Sequence, residues 1–197
     1  LRPEVELVER CGPRLVDALS AAVTYQELLF PGGSMEAVLT VYEDAVVSAC
    51  YNGCAVAAVE AILSLLVEGQ RVVALEVGAG TGGTASSILP VMEHACARYI
   101  FTDVSEVFLR QARLRFAAFG YVEYALLNID AEPRLQGFAA CQSDVLVATN
   151  VLHATPFMRN TLRNCEQLLC GGGVLVVNEA LRTGAVMQAT FGVTDGW

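Results

Sequence analysis

Between residues 71 and 83 the chain reads RVVALEVGAGTGG, a run of apolar, largely β-branched residues that ends in glycines. The apolar run is short, bounded by polar and glycine residues, and suits a buried strand better than a helix. Gly78, Gly80 and Gly82 then let the backbone turn sharply and approach a ligand without side-chain interference. Downstream, helical and strand patterns alternate through SSILPVMEHA, RYIFTDVS, EVFLRQARLRFAAFG, YVEYALLNID, SDVLVATNVLHA, FMRNTLRNCEQLLCGGG and VLVVNEA. Five strands are expected, near 72–77, 97–102, 122–127, 143–148 and 173–178. Strands separated by helices imply right-handed crossovers, so the fold class is α/β with a doubly wound parallel sheet.

Upstream of Arg71 the texture is helical. Residues 4–23 have helical periodicity, LLFPGGS (28–34) reads as a loop, and Ser34 is placed to cap a helical pattern from Met35 to Val67. The chain therefore divides into a helical lid, or substrate subdomain, over 1–70 and a cofactor-binding core over 71–197.

Composition narrows the chemistry. All 12 basic residues are arginine, which removes a lysine Schiff base, a phosphate-loop lysine and the Tyr-Lys pair of short-chain reductases. A formal net charge of -9 argues against a nucleic-acid partner, which needs a cationic face. The seven cysteines form no CxxC pair, and with two distant histidines they lack structural-zinc spacing, so no metal is expected. They read as reduced thiols of a cytoplasmic protein. The apolar stretch AVAAVEAILSLLV (55–67) carries Glu60 and falls short of the roughly 20 residues of a membrane span, so no membrane role is expected. LRPEVELVER begins without methionine or a signal-like leader and reads as a segment of a longer chain.

The glycine loop fits two cofactor classes, because Gly78, Gly80 and Gly83 also satisfy a GxGxxG pattern. Asp103, ending the second strand, is placed to accept both hydroxyls of a ribose in either class. Asp130, in LNID, supplies a carboxylate near an adenine amino group, and Glu76 precedes the loop where it could orient a cationic amino-acid portion. A zwitterionic sulfonium suits acidic surroundings better than a pyrophosphate does, which favours S-adenosyl-L-methionine. Turn chemistry or helix capping is the alternative reading for Asp103 and Asp130. His153 lies just past the fourth strand in NVLHAT, where parallel sheets place ligands; it is either a group of the site or a turn residue whose ring nitrogens meet backbone groups.

LLFPGGS with Tyr51-Asn52, LEVGAGTGGT, FTDVS, NVLHAT, LCGGGVLVVNE and TFGVTDGW, in this order, resemble the carbon methyltransferase domains of polyketide synthases. The likeness spans nearly the whole chain. It departs at Ser143, where the family usually has an aromatic residue, and at Ala85, where threonine is usual. The resemblance implies a class I, Rossmann-like methyltransferase core with an N-terminal helical lid. It further implies action on a β-ketoacyl chain carried by an acyl carrier protein, beside neighbouring polyketide synthase domains. Such a core has two further strands, expected outside this sequence. His153 and Glu179 are implied as a catalytic dyad, and their positions beyond adjacent strand ends support this independently. Glu179 could instead cap a helix.

Tyr51 and Asn52 are candidates to bind substrate carbonyls, and Asn150 to contact the cofactor or close its turn. Arg110 with Arg113, and Arg159 with Arg163, are spaced for one helical face, either for an acidic carrier protein or simply solvated. The alternatives are an oxygen or nitrogen methyltransferase of the same fold, an inactive methyltransferase-like scaffold domain and, disfavoured by the missing lysine, a reductase.

Overall fold

A computed structural model of the chain describes residues 2–34, 36–43, 45–180 and 184–194. Met35, where the helical pattern begins, and residues 195–197 of the TFGVTDGW motif lie outside the described residues. Strands β1 (Val72–Val77), β2 (Cys96–Asp103), β3 (Val122–Leu126), β4 (Ser143–Thr149) and β5 (Leu169–Asn178) form one sheet in the order β3-β2-β1-β4-β5. Every pairing is parallel, as the alternating patterns require.

The central strands are apolar on both faces because both faces are covered. Ala74, Tyr99, Phe101, Val145 and Val147 pack with α6 (Gly83–Met92) and α7 (Glu106–Arg115) on one side. On the other, Leu75, Ile100, Leu146 and Ala148 pack with Cys165 and Leu168 of α8 (Met158–Leu168). β5 begins four residues before its expected start at 173. Leu169 pairs with Ser143, and the register then shifts before Val174 meets Val145.

The helical residues form α1 (Arg2–Cys11), α2 (Leu15–Leu19), α3 (Tyr25–Leu29), α4 (Glu36–Glu43) and α5 (Val46–Leu63). LLFPGGS is only partly irregular: Leu28 and Leu29 end α3, which Thr24 and Glu27 close with a capping box, and 31–33 make a 3₁₀ turn. The Glu36 amide donates to Ser34 Oγ at 3.4 Å. α1 packs with α4 and with α9 (Ala185–Thr190), around Leu7, Leu29, Val38, Val41 and Phe191.

The chain's compact units do not divide at residue 70. One unit comprises 1–51 with 180–197, the other 52–179. The reason lies in α5, where Ala55 and Val59 enter the sheet unit's core, and in Phe191, which packs with the N-terminal helices. α5 is also longer than the apolar run read from Ala55: its 18 residues, with a mean hydropathy of 1.6, have the length and composition of a membrane span. Ala55 and Val59 are instead used against the sheet.

Leu146 is fully buried in the strand between β1 and β5. Leu146→Ala should lower unfolding stability by about 2–5 kcal/mol. Arg98 and Glu123 form an exposed 2.7 Å ion pair across β2 and β3, and Arg98→Ala should cost less than about 1 kcal/mol. Denaturant midpoints of the two variants check both values.

Candidate active site

The chain leaves β4 through Asn150, whose φ of +48° is left-handed and whose amide donates to the Asn178 carbonyl at 2.8 Å. This ties the end of β4 to the end of β5 and closes the turn. Leu152 is buried in the core beside α8 and anchors the 3₁₀ turn Leu152–Ala154, so His153 is held at the sheet's carboxyl edge. Glu179 immediately follows β5. Its Oε1 accepts from the amides of Val151 at 3.0 Å and Leu152 at 2.7 Å, and its Oε2 meets His153 Nδ1 at 2.5 Å. An accepting carboxylate makes Nδ1 the protonated nitrogen and leaves Nε2 as the basic one. The carboxylate therefore fixes both the tautomer and the ring orientation of a half-exposed imidazole.

The glycine loop abuts this turn. A Cβ on Gly78 would lie 2.2 Å from a methyl of Val151, so only a hydrogen there lets the loops after β1 and β4 meet. Gly82, at φ +82°, starts α6, and a Cβ on it would lie 2.7 Å from the Phe116 ring. A Cβ on Gly80, at φ +55°, would stand in ordinary contact with the Gly78 carbonyl oxygen at 3.9 Å. Its amide donates to Asp103 Oδ2 at 2.9 Å, while Oδ1 accepts from the Ser105 amide at 2.8 Å. Asp103 thus performs turn chemistry and braces the glycine loop. Burial raises its pKa, against the amides of Ser105, Gly80 and Val104, which lower it.

Glu76 lies beneath the loop at 1% exposure, accepting from the Tyr99 hydroxyl at 2.8 Å. Burial pushes its carboxyl up to about 8; the Tyr99 hydrogen bond opposes this and the nearby charge of Asp103 adds to it. Asp130 follows β3 in a loop braced on both sides: its own amide donates to Asn128 Oδ1, and Asn164 Nδ2 donates to the carbonyls of Ile129 and Ala131. Asp130 Oδ1 is buried with no hydrogen-bond partner among the described residues.

Tyr51 and Asn52 differ in their surroundings. Neighbours on a helix point in different directions: Tyr51 is exposed and belongs to the helical unit, whereas Asn52 is buried in the sheet unit. Asn52 Oδ1 accepts from Thr84 Oγ1 at 3.1 Å and its Nδ2 donates to the Gly83 carbonyl at 3.5 Å, which pins α5 to the first turn of α6. Arg113 pairs with Glu106 at 3.1 Å and lies over the Tyr124 ring, as a residue of its own helix face does. Arg110, Arg159 and Arg163 are exposed. Tyr99, which holds Glu76, reads in sequence only as a strand residue; its spacing to a buried carboxylate is set by sheet register.

Two outcomes follow from this geometry. Gly78→Ala should be destabilising both through its positive φ, about 1–2 kcal/mol, and through the clash with Val151; adding Val151→Ala, which removes the nearest methyl but keeps a Cβ at 2.9 Å, should recover part of the steric cost and none of the backbone cost, as a double-mutant cycle would show. Folded Glu76 keeps its proton to about 8, whereas the unfolded side chain loses it near 4.5. Its contribution is fully present below the lower value and is lost as pH rises through the upper one. Relative to Glu76→Gln, the parent should lose stability across that window, measured by denaturant melts at successive pH values.

The family described as "Methyltransferase domain" matches residues 75–175. Among curated relatives, the polyketide synthase ThaG of Burkholderia thailandensis is 40% identical over 195 residues, which is 97% of this chain and 4% of that synthase. The crystal structure of the CurJ carbon methyltransferase superposes with a TM-score of 0.95 at 34% identity, over all of this chain and 52% of that one. The trans-methyltransferase CalH, solved in complex with SAH, gives 0.80 at 32% identity, over 99% of this chain and 53% of that one. The chain thus spans about half the length of these solved structures and a small part of the synthase. With its five-stranded parallel sheet and glycine loop, this chain belongs to the methyltransferase-domain family, and within it the chain is similar to the carbon methyltransferase domains of polyketide synthases.

Proposed function

We propose that this domain transfers a methyl group from S-adenosylmethionine to the α-carbon of a β-ketoacyl chain, held as a thioester on an acyl carrier protein within a cytoplasmic polyketide synthase. The observation that carries the reading is the 2.5 Å contact of His153 Nδ1 with a Glu179 carboxylate that two backbone amides already fix. Such a histidine is oriented as a general base.

The cofactor supplies an electrophilic methyl group when bound. Gly78, Gly80 and Gly82 would form its cradle, Glu76 would face its ammonium, Asp103 the ribose, Asp130 the adenine amino group, and Asn150 the turn beside it. The fit rests on the unsatisfied Asp130 Oδ1, an acceptor suited to an amino donor. Asp103 retains lone pairs beyond those its two amide bonds use.

A carbon between a ketone and a thioester is acidified by both carbonyls, so a single imidazole is base enough. His153 Nε2 takes the α-proton, and the charge of Glu179 stabilises the imidazolium while the substrate holds the enolate. Tyr51 is the remaining candidate to bind a substrate carbonyl, since the Asn52 amide is engaged by Thr84 and Gly83.

Mass spectrometry of a β-ketoacyl carrier protein incubated with the full chain and labelled S-adenosylmethionine tests the reading, because label on carbon separates it from oxygen or nitrogen methylation. His153→Ala should lower carbon methylation by about 10²–10⁴-fold and leave cofactor affinity unchanged. Glu179→Gln should cost less, since it keeps an acceptor oxygen for the ring and loses only the charge. Methylation at the parent rate by His153→Ala would refute the mechanism.

A further inference from the structure

Among the described residues, two buried polar atoms at the carboxyl edge of the sheet lack a hydrogen-bond partner: Asp130 Oδ1 and Thr149 Oγ1. The first has a proposed partner in the adenine amino group. The second has none. Burying a hydroxyl without a partner costs stability, so a polar atom left in this way calls for a partner that binds it in another state.

The position of Thr149 says what that partner would be. It is the last residue of β4, and strand side chains alternate between faces. Val145 and Val147 lie in the core with α6, whereas Leu146 and Ala148 lie in the core with α8. Thr149 therefore belongs to the α6 face, the face of Ala74 and Glu76. β1 and β4 pair Glu76 with Val147 and Val77 with Ala148, which puts Thr149 level with Gly78, the first residue of the glycine loop. On this face the loop is thus flanked by a buried carboxyl on its own strand and an unsatisfied hydroxyl on the next.

We infer that Thr149 is a further binding residue for the methyl donor, its hydroxyl taking the amino-acid end of the molecule beside Gly78. The inference rests on the reading that this site holds S-adenosylmethionine. A hydroxyl both donates and accepts, so it can serve either charged group of a zwitterion. The β-branched side chain restricts χ1, so little rotamer freedom remains to be lost on binding. Valine has the same shape and lacks only the oxygen.

Calorimetry with S-adenosylhomocysteine on the full chain, its Thr149→Val form and its Thr149→Ser form tests this. Thr149→Val should weaken binding by about 10- to 100-fold, the loss of one hydrogen bond to a charged group. Its folding stability should match or exceed that of the parent. Thr149→Ser, which keeps the hydroxyl, should bind within a few-fold of the parent. Parent-like affinity in Thr149→Val overturns the inference while leaving the cofactor reading intact. So does weakened binding shared equally by Thr149→Ser, since the loss would then not follow the hydroxyl. If the parent chain binds neither S-adenosylhomocysteine nor S-adenosylmethionine, the cofactor reading falls and this inference falls with it.

Discussion

Val151 occupies the space that any side chain at residue 78 would need. Through this contact the loop after β1 and the loop after β4, parts of the sequence more than seventy residues apart, become one surface. The other features of the carboxyl edge follow from it. Asn150 takes a left-handed conformation to turn the chain, Leu152 drops into the core, and the amides of Val151 and Leu152 converge on Glu179. His153 is thereby presented on a turn held from both neighbouring strands. A parallel sheet gathers the ends of its strands on one edge, and here that edge carries both the glycine loop and the histidine.

The electrostatics of the edge are one-sided. Burial raises the pKa of Glu76 and of Asp103, and Asp130 keeps a buried oxygen without a partner among the described residues. Of the nearby arginines, Arg113 is folded onto Glu106 and Tyr124, and Arg115 donates to the Thr81 carbonyl and lies over the Phe116 ring. A pyrophosphate would add negative charge to such surroundings. A cationic ligand would relieve them, which supports a sulfonium methyl donor over a dinucleotide.

Most of the sheet was legible because its strands announce themselves locally, as short apolar runs. The positions of His153 and Glu179 were legible for the same reason, each standing just past such a run. What the sequence hid depends on partners distant along the chain. Gly78 reads as a ligand-facing glycine, but its neighbour is Val151. Asp103 reads as a ribose acceptor, and the sequence does not show that its oxygens also hold the Gly80 and Ser105 amides. Asn52 reads as a substrate ligand beside Tyr51, but the turn of a helix separates their directions and gives Asn52 to Thr84. LCGGG reads as the end of the preceding helical pattern, and only the pairing of Leu169 with Ser143 shows that the strand begins earlier.

The central claim is that His153 removes a proton from carbon. Exchange of the α-hydrogen of a β-ketoacyl thioester in deuterated water, followed with S-adenosylhomocysteine bound, isolates that step because no methyl group is available to transfer. The account predicts exchange well above the uncatalysed rate with the parent chain and a fall to near that rate in His153→Ala, with Glu179→Gln between them. Equal exchange by the parent and His153→Ala would contradict it and leave His153 as a residue of the turn.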